Sequence, residues 1–244
     1  MCQFKSALIL KDKIYMSMED SHSTLLEELG IDDTVENAKL KFVRAELIPY
    51  DDDRFSNVDT WRFVIDQDIR PDWFVKDYDE KRMRDAVKEW VGKYYLTGKD
   101  NLELCGEYYY LKDCTNVILK KDAKVELFGN SSVAWMWDNS SVAEMRDNST
   151  VNQMYDNSTV NQMYDNSTVN VMRYNSTINA MYGNSTVNVM YNNSTVNQMY
   201  DNSTVNKMYN NSISRKFDYD KVKFIIYSSK KAILNTHKEE VQNG

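Results

Sequence analysis

Asp66, Asp68 and Asp72 lie close enough in sequence to gather a hard divalent cation, since oxygen ligands at alternate positions suit such an ion. The Gly-containing spacing of a calcium loop is missing, so the preferred reading is a polar strand end entering a turn. Pro71 would fix the path of that turn and Trp73 would pack on a core. Cys2 would become an N-terminal nucleophile if Met1 were removed, with its own α-amine as base. The simpler reading is that Cys2 begins the first strand, because no Gly-rich oxyanion turn accompanies it. His22, between Ser21 and Ser23 at the start of a helix, suits a capping loop better than a general base. No P-loop, GxGxxG, HExxH or GxSxG string occurs, and seven glycines argue against phosphate-cradling loops. The expectation is therefore a protein more suited to binding than to catalysis, with no catalytic residue, cofactor or bound metal.

The 244 residues allow one large domain or two smaller ones, and 42% hydrophobic content supports a folded core. A net charge of -7 disfavours direct binding to nucleic acid, which calls for a clustered basic face. No apolar run is long enough to span a membrane, and "MCQFKSALILKDK" lacks the flanks of a signal peptide. Cys2, Cys105 and Cys114 form no even framework, which fits reduced thiols in a cytoplasm. A cytoplasmic location is expected. The recurrent "NST" matches a glycosylation acceptor, but without a secretory route geometry explains the Asn better.

Three segments differ in texture. Residues 1 to 114 read as a small α+β domain, 115 to 213 as a repeat region, and 214 to 244 as a C-terminal cap and tail. In the first, "FKSALIL" and "IYMSM" flank "KDK" as a hairpin. "DSHSTLLEELG" predicts a short helix with a capping box from Thr24 to Glu27 and a stop at Gly30. "LKFVRAELIPY" and "TWRFVIDQDI" predict strands around the turn "DDDRFSN", and "DYDEKRMRDAVKEWVGKYY" predicts a helix that buries Met83, Val87 and Val91.

In the second segment Asn recurs at 130, 139, 148, 157, 166, 175, 184, 193, 202 and 211 without insertion, always followed by Ser. In the first nine copies Val or Ile follows three residues after Asn, and Met three after that. A fixed short period without gaps predicts a parallel β-solenoid, or β-helix. Two nine-residue words make a coil of about 18 residues with rungs about 4.8 Å apart, and ten copies make five coils. A triangular coil of three words is the alternative. Val should point inward along with Ser, and Met should fill the rounded end of a narrow core after the chain turns a corner. The Asn of "D-N-S" is expected to adopt left-handed geometry and to hydrogen-bond its equivalent one coil away. Stepping by nine places Ile118, Leu127, Phe217 and Ile226 on the Met lattice. "FDYDKVKFIIYSS" is expected to close the last coil and "THKEEVQNG" to be a frayed tail.

The residue after Met is Trp137, Arg146, Tyr155, Tyr164, Arg173, Tyr182, Tyr191, Tyr200 or Tyr209. On an 18-residue coil these positions form two ladders, which either stiffen the rod or bind a partner. Trp135 and Trp137 on the first coil are the favoured contact, and the adjacent Asp residues make the face acidic.

The run "TWRFVIDQDIRPDWF", with "KSALIL" and "SHSTLLEELGI", resembles the N-terminal domain of a family of uncharacterised proteins common in bacteriophage and prophage genomes. That domain is often followed by repeats. The resemblance covers about residues 2 to 92, with D-Q-D-x-x-P-x-W-[FY] at 66 to 74 its most specific part. It implies a phage or mobile-element accessory protein, and no functional residue carries over. The expected function is binding and inhibition of a host protein, as an anti-defence or antitoxin-like factor, with homo-oligomerisation left open. The alternatives are an acidic DNA mimic that inhibits a nucleic-acid-binding enzyme, ice or another regular surface as ligand of the outward Thr-x-Asn lattice, or an enzyme located in the N-terminal domain.

Overall fold

A computed structural model describes residues 5–18, 20–50, 57–221, 223–229 and 239–243, the last stretch by its backbone alone. Cys2 and most of "DDDRFSN" lie outside the described residues. The chain divides into two compact units, Met1–Tyr94 and Tyr95–Gly244.

The first unit is a four-stranded antiparallel sheet with helices. Strands β1 (Lys5–Leu10) and β2 (Ile14–Tyr15) form the expected hairpin. Helix α1 (His22–Glu28) follows, then α2 (Val35–Leu40), which the sequence pattern did not suggest. Strands β3 (Phe42–Ile48) and β4 (Arg62–Ile65) complete the order β2-β1-β3-β4, and α3 (Lys76–Tyr94) ends the unit. Ser21, not Thr24, caps α1: its hydroxyl accepts the Thr24 amide, so the helix starts two residues before the expected box. Gly30 takes the left-handed φ of 63° that stops the helix. Met83, Val87 and Trp61 are buried against β1 and β3 residues, with Val91 partly buried beside them.

The motif at 66 to 74 works as a clasp. The Gln67 side chain accepts the Arg44 amide at 2.8 Å and donates to the carbonyls of Phe42 and Ile69, carrying the β3–β4 pairing past the strand end. Trp73 Nε1 donates to the Leu40 carbonyl at 2.9 Å.

The second unit is a parallel β-solenoid of about seven two-strand coils. One sheet stacks, among others, Ser132–Met136, Thr150–Met154, Thr168–Met172, Thr186–Met190 and Thr204–Met208; the other stacks Ser141–Met145, Thr159–Met163, Thr177–Met181 and Thr195–Met199. Val pairs with Val and Met with Met at an 18-residue offset, so the coil holds two words, not three. Both residues are fully buried in each middle coil. Residues three apart on a flat strand would face opposite sides. The chain must therefore bend between them, and the bend falls inside the strand, next to the outward Asn.

The solenoid begins earlier than residue 115. Tyr95–Thr97 already pairs in parallel with Tyr108–Lys112, and Glu103–Cys105 with Val117–Lys120, so the limit at 114 falls inside the coils. These coils lack the repeated word but keep its inward apolar residues, including Leu104, Leu111, Val117, Leu119, Val125 and Leu127. Their register is shorter. Val133 pairs with Val117 and Met136 with Leu119, so Leu119 occupies the core place expected for Ile118.

At the other end Ile213–Asp218 pairs antiparallel with Lys223–Ser228, a hairpin that extends that sheet beyond the last repeated strand. Ile226 is buried, whereas Phe217 lies outside the core and continues an aromatic ladder. Glu239–Asn243, expected as frayed tail, is a strand beside Lys223–Ser228.

Every repeat Ser is buried. Ser131 is well partnered: its Oγ lies 2.8 Å from the Phe128 carbonyl and accepts the Cys114 amide. Among the described residues, the hydroxyls of Ser140, Ser149, Ser158, Ser167, Ser176, Ser185 and Ser194 have no partner. Removing an unsatisfied buried hydroxyl removes a desolvation penalty, whereas removing a satisfied one strands its partner. Ser158→Ala is therefore expected to leave stability unchanged or to raise it, and Ser131→Ala to lower it by about 1–2 kcal/mol. Urea melts of the two variants side by side test this, and equal losses would contradict it.

Candidate functional site

Side chains that follow Met do stack. On the corner after one sheet, Tyr164, Tyr182 and Tyr200 lie with ring centroids 5.1 Å apart and planes within 11°. Arg146 covers Tyr164 at one end and Phe217 meets Tyr200 at the other. Burial raises the Tyr164 and Tyr200 pKa values above the ordinary tyrosine value. On the opposite corner Trp137 stacks on Tyr155 at 4.3 Å, Arg173 lies over Tyr191 at 5.1 Å, and Tyr191 stacks on Tyr209. The rings are mostly half-buried, which is the geometry of stiffening. Trp135 stands apart from both ladders, on the outer face of its strand, where it pairs with Gln153 and is 39% exposed.

The acidic row is structural. Asp138, Asp147, Asp156 and Asp165 each accept the backbone amide of the residue about one coil earlier: Lys121, Gly129, Asp138 and Asp147. These Asp residues, not the Asn that follows them, adopt the left-handed backbone, with φ between 54° and 58°. The Asn residues do form the expected ladder, with Nδ2 donating to Oδ1 one coil away at 3.2 to 3.5 Å. A second, tighter ladder joins the outward Asn residues of the strands, such as Asn188 to Asn170 at 2.7 Å and Asn206 to Asn188 at 2.9 Å.

Against this regularity one residue stands out, inside the stretch "RYNSTINAMYG" where the sequence breaks the repeated word. Tyr174 occupies an Asp position at φ 57° and is 52% exposed. A bulky side chain in the left-handed region is a genuine outlier. It breaks the series of carboxylate–amide bonds, and its ring tilts against Tyr155 at 6.3 Å. Its neighbour Arg173 is exposed and, among the described residues, has no ion pair, whereas Arg146 is held by Glu144 at 2.7 Å. Tyr in the Asp place of "RYN" was the available signal.

In the first unit the three Asp residues do not converge. Asp66 instead meets His22 and Glu46, with ligand-capable atoms all within 4.8 Å of one another, while Asp68 and Asp72 stand outside that group. Burial raises the Glu46 pKa above its ordinary value; His22 and Arg62 oppose the rise, and Asp66 and Asp20 add to it.

No protein-family model matches the chain, and no curated protein or solved structure matches it either.

Two expectations follow. Tyr174→Asp relieves an unfavourable backbone and restores the missing carboxylate, so it should raise stability by about 1 kcal/mol; a lower urea midpoint than the parent would refute that reading of Tyr174. Folding raises the pKa of Glu46, so its contribution is full below the unfolded value and is lost as pH rises through the folded one. Glu46→Gln in metal-free buffer should accordingly stabilise the protein near about pH 7 and give no gain below about pH 4. A difference that does not change with pH would contradict this.

Proposed function

We propose that the chain is a non-enzymatic protein-binding scaffold whose docking surface is the solenoid corner formed by Tyr174, Arg173 and the ladder of Trp137, Tyr155, Tyr191 and Tyr209. The observation that carries this reading is Tyr174. A strained aromatic held half-exposed, where the regular coil places Asp, calls for a compensating gain, and binding sites are where such strain collects. Tyr, Trp and Arg dominate binding hot spots, and a rigid stack loses little freedom when a partner docks. The resemblance of the first segment extends the proposal: the partner is a host protein, and binding inhibits it.

The acidic DNA mimic is the weaker reading. Duplex DNA carries a charge about every 1.7 Å, whereas residues 129 to 213 hold six acids and three bases. Several of those acids are committed to backbone amides.

A photo-crosslinker at position 174 of the full chain, activated in host cells, is expected to capture one dominant protein. Tyr174→Asp should weaken that complex by about tenfold or more while leaving the rod at least as stable. Undiminished binding by Tyr174→Asp, or crosslinks confined to a second copy of this chain, would exclude the proposal.

A further inference from the structure

Three segments of the first unit bring a mixed nitrogen and oxygen donor set to one point. His22 opens α1, Glu46 lies on β3 and Asp66 follows β4 directly. The His22 side chain is only 10% exposed, and both of its ring nitrogens face acceptors. Nε2 lies 3.2 Å from the Ala45 carbonyl, and Nδ1 lies 3.3 Å from Asp66 Oδ2.

A carbonyl oxygen only accepts, so the hydrogen on a neutral ring belongs on Nε2. Nδ1 then directs a lone pair at the Asp66 carboxylate, with the Glu46 carboxylate also within reach. Three electron-rich groups face one another, and a cation among them, or a proton on Nδ1 or on Glu46, reconciles the arrangement. A metal-ligating His commonly donates its other N–H to a backbone carbonyl, which fixes the ring and aims the free nitrogen. Ala45 supplies that carbonyl.

We propose that His22 Nδ1 and the Glu46 and Asp66 carboxylates bind a divalent transition-metal ion. One imidazole nitrogen and two carboxylate oxygens suit zinc, manganese or iron; a calcium site would ask for six or more oxygens. Three protein ligands leave at least one coordination position to water. The ion ties the start of α1 to β3 and to the end of β4. Asp66 thereby belongs to a site with His22 and Glu46, not with Asp68 and Asp72.

The test uses the untagged full-length protein, stripped by chelator and titrated calorimetrically with zinc sulfate, with magnesium and calcium chlorides as contrasts. One zinc ion per chain is expected, with a rise in melting temperature and no saturable binding of magnesium or calcium. Glu46→Gln and Asp66→Asn should each weaken zinc binding by about tenfold or more. The first keeps the side-chain shape and the second changes an exposed group, so circular dichroism should show both folded. Cobalt substitution should give a spectrum without thiolate-to-metal charge transfer, which separates the site from exposed Cys105. The proposal is overturned if the parent binds no zinc. Zinc binding that both variants retain, or a thiolate band in the cobalt spectrum, overturns it as well.

Discussion

Each side chain of the solenoid meets its own counterpart one coil away, and that constraint orders the rest of the second unit. Val lies on Val, Met on Met, Asn on Asn and Tyr on Tyr, because the backbone hydrogen bonds between coils leave no freedom to slide. A residue type survives at a position only if a column of copies is comfortable there. Val fills a column without voids, and the flexible Met closes the rounded end. Amides donate to amides along Asn columns at both corners and on both sheets. Asp avoids like-charge contact by turning its carboxylate to a backbone N–H on the preceding coil. The Ser column is the exception, since its middle hydroxyls are buried without partners. Small volume where the chain turns is the property that position needs.

Much of this was legible in the sequence because a gapless period exposes the lattice directly. The 18-residue coil, the inward Val and Met and the two aromatic ladders all follow from spacing. The coil strands from Tyr95 to Lys112 were hidden because they keep the inward apolar residues but not the word, and the register there is shorter. The left-handed position was assigned to Asn on local preference alone. The structure gives it to Asp because the residue there must also reach an amide on the preceding coil. In the first unit, His22, Glu46 and Asp66 are separated by two long stretches of chain. Only the placement of β3 between β1 and β4 brings them together, and no local pattern announces it. Gln67 and Trp73, the recognisable part of the motif, serve to hold that placement.

Two kinds of residue therefore remain once the columns are accounted for. Trp135, Arg173 and Tyr174 interrupt a column in the solenoid and are exposed there. His22, Glu46 and Asp66 bring their polar atoms together in the first unit. Neither set is needed for a coil to stack or for the β1–β4 sheet to pair.

The two-word coil also gives the chain a parity. Successive words alternate between the two sheets, so any word has a corner fixed by whether its ordinal number is odd or even. Gain or loss of a whole coil of two words would lengthen or shorten the rod and leave every later residue on its original side. Gain or loss of a single word would transfer everything after it to the opposite corner, moving Arg173 and Tyr174 from the Trp137 column to the Arg146 column. Growth of such a gene by unequal recombination is thus neutral for surface layout in even steps and disruptive in odd ones.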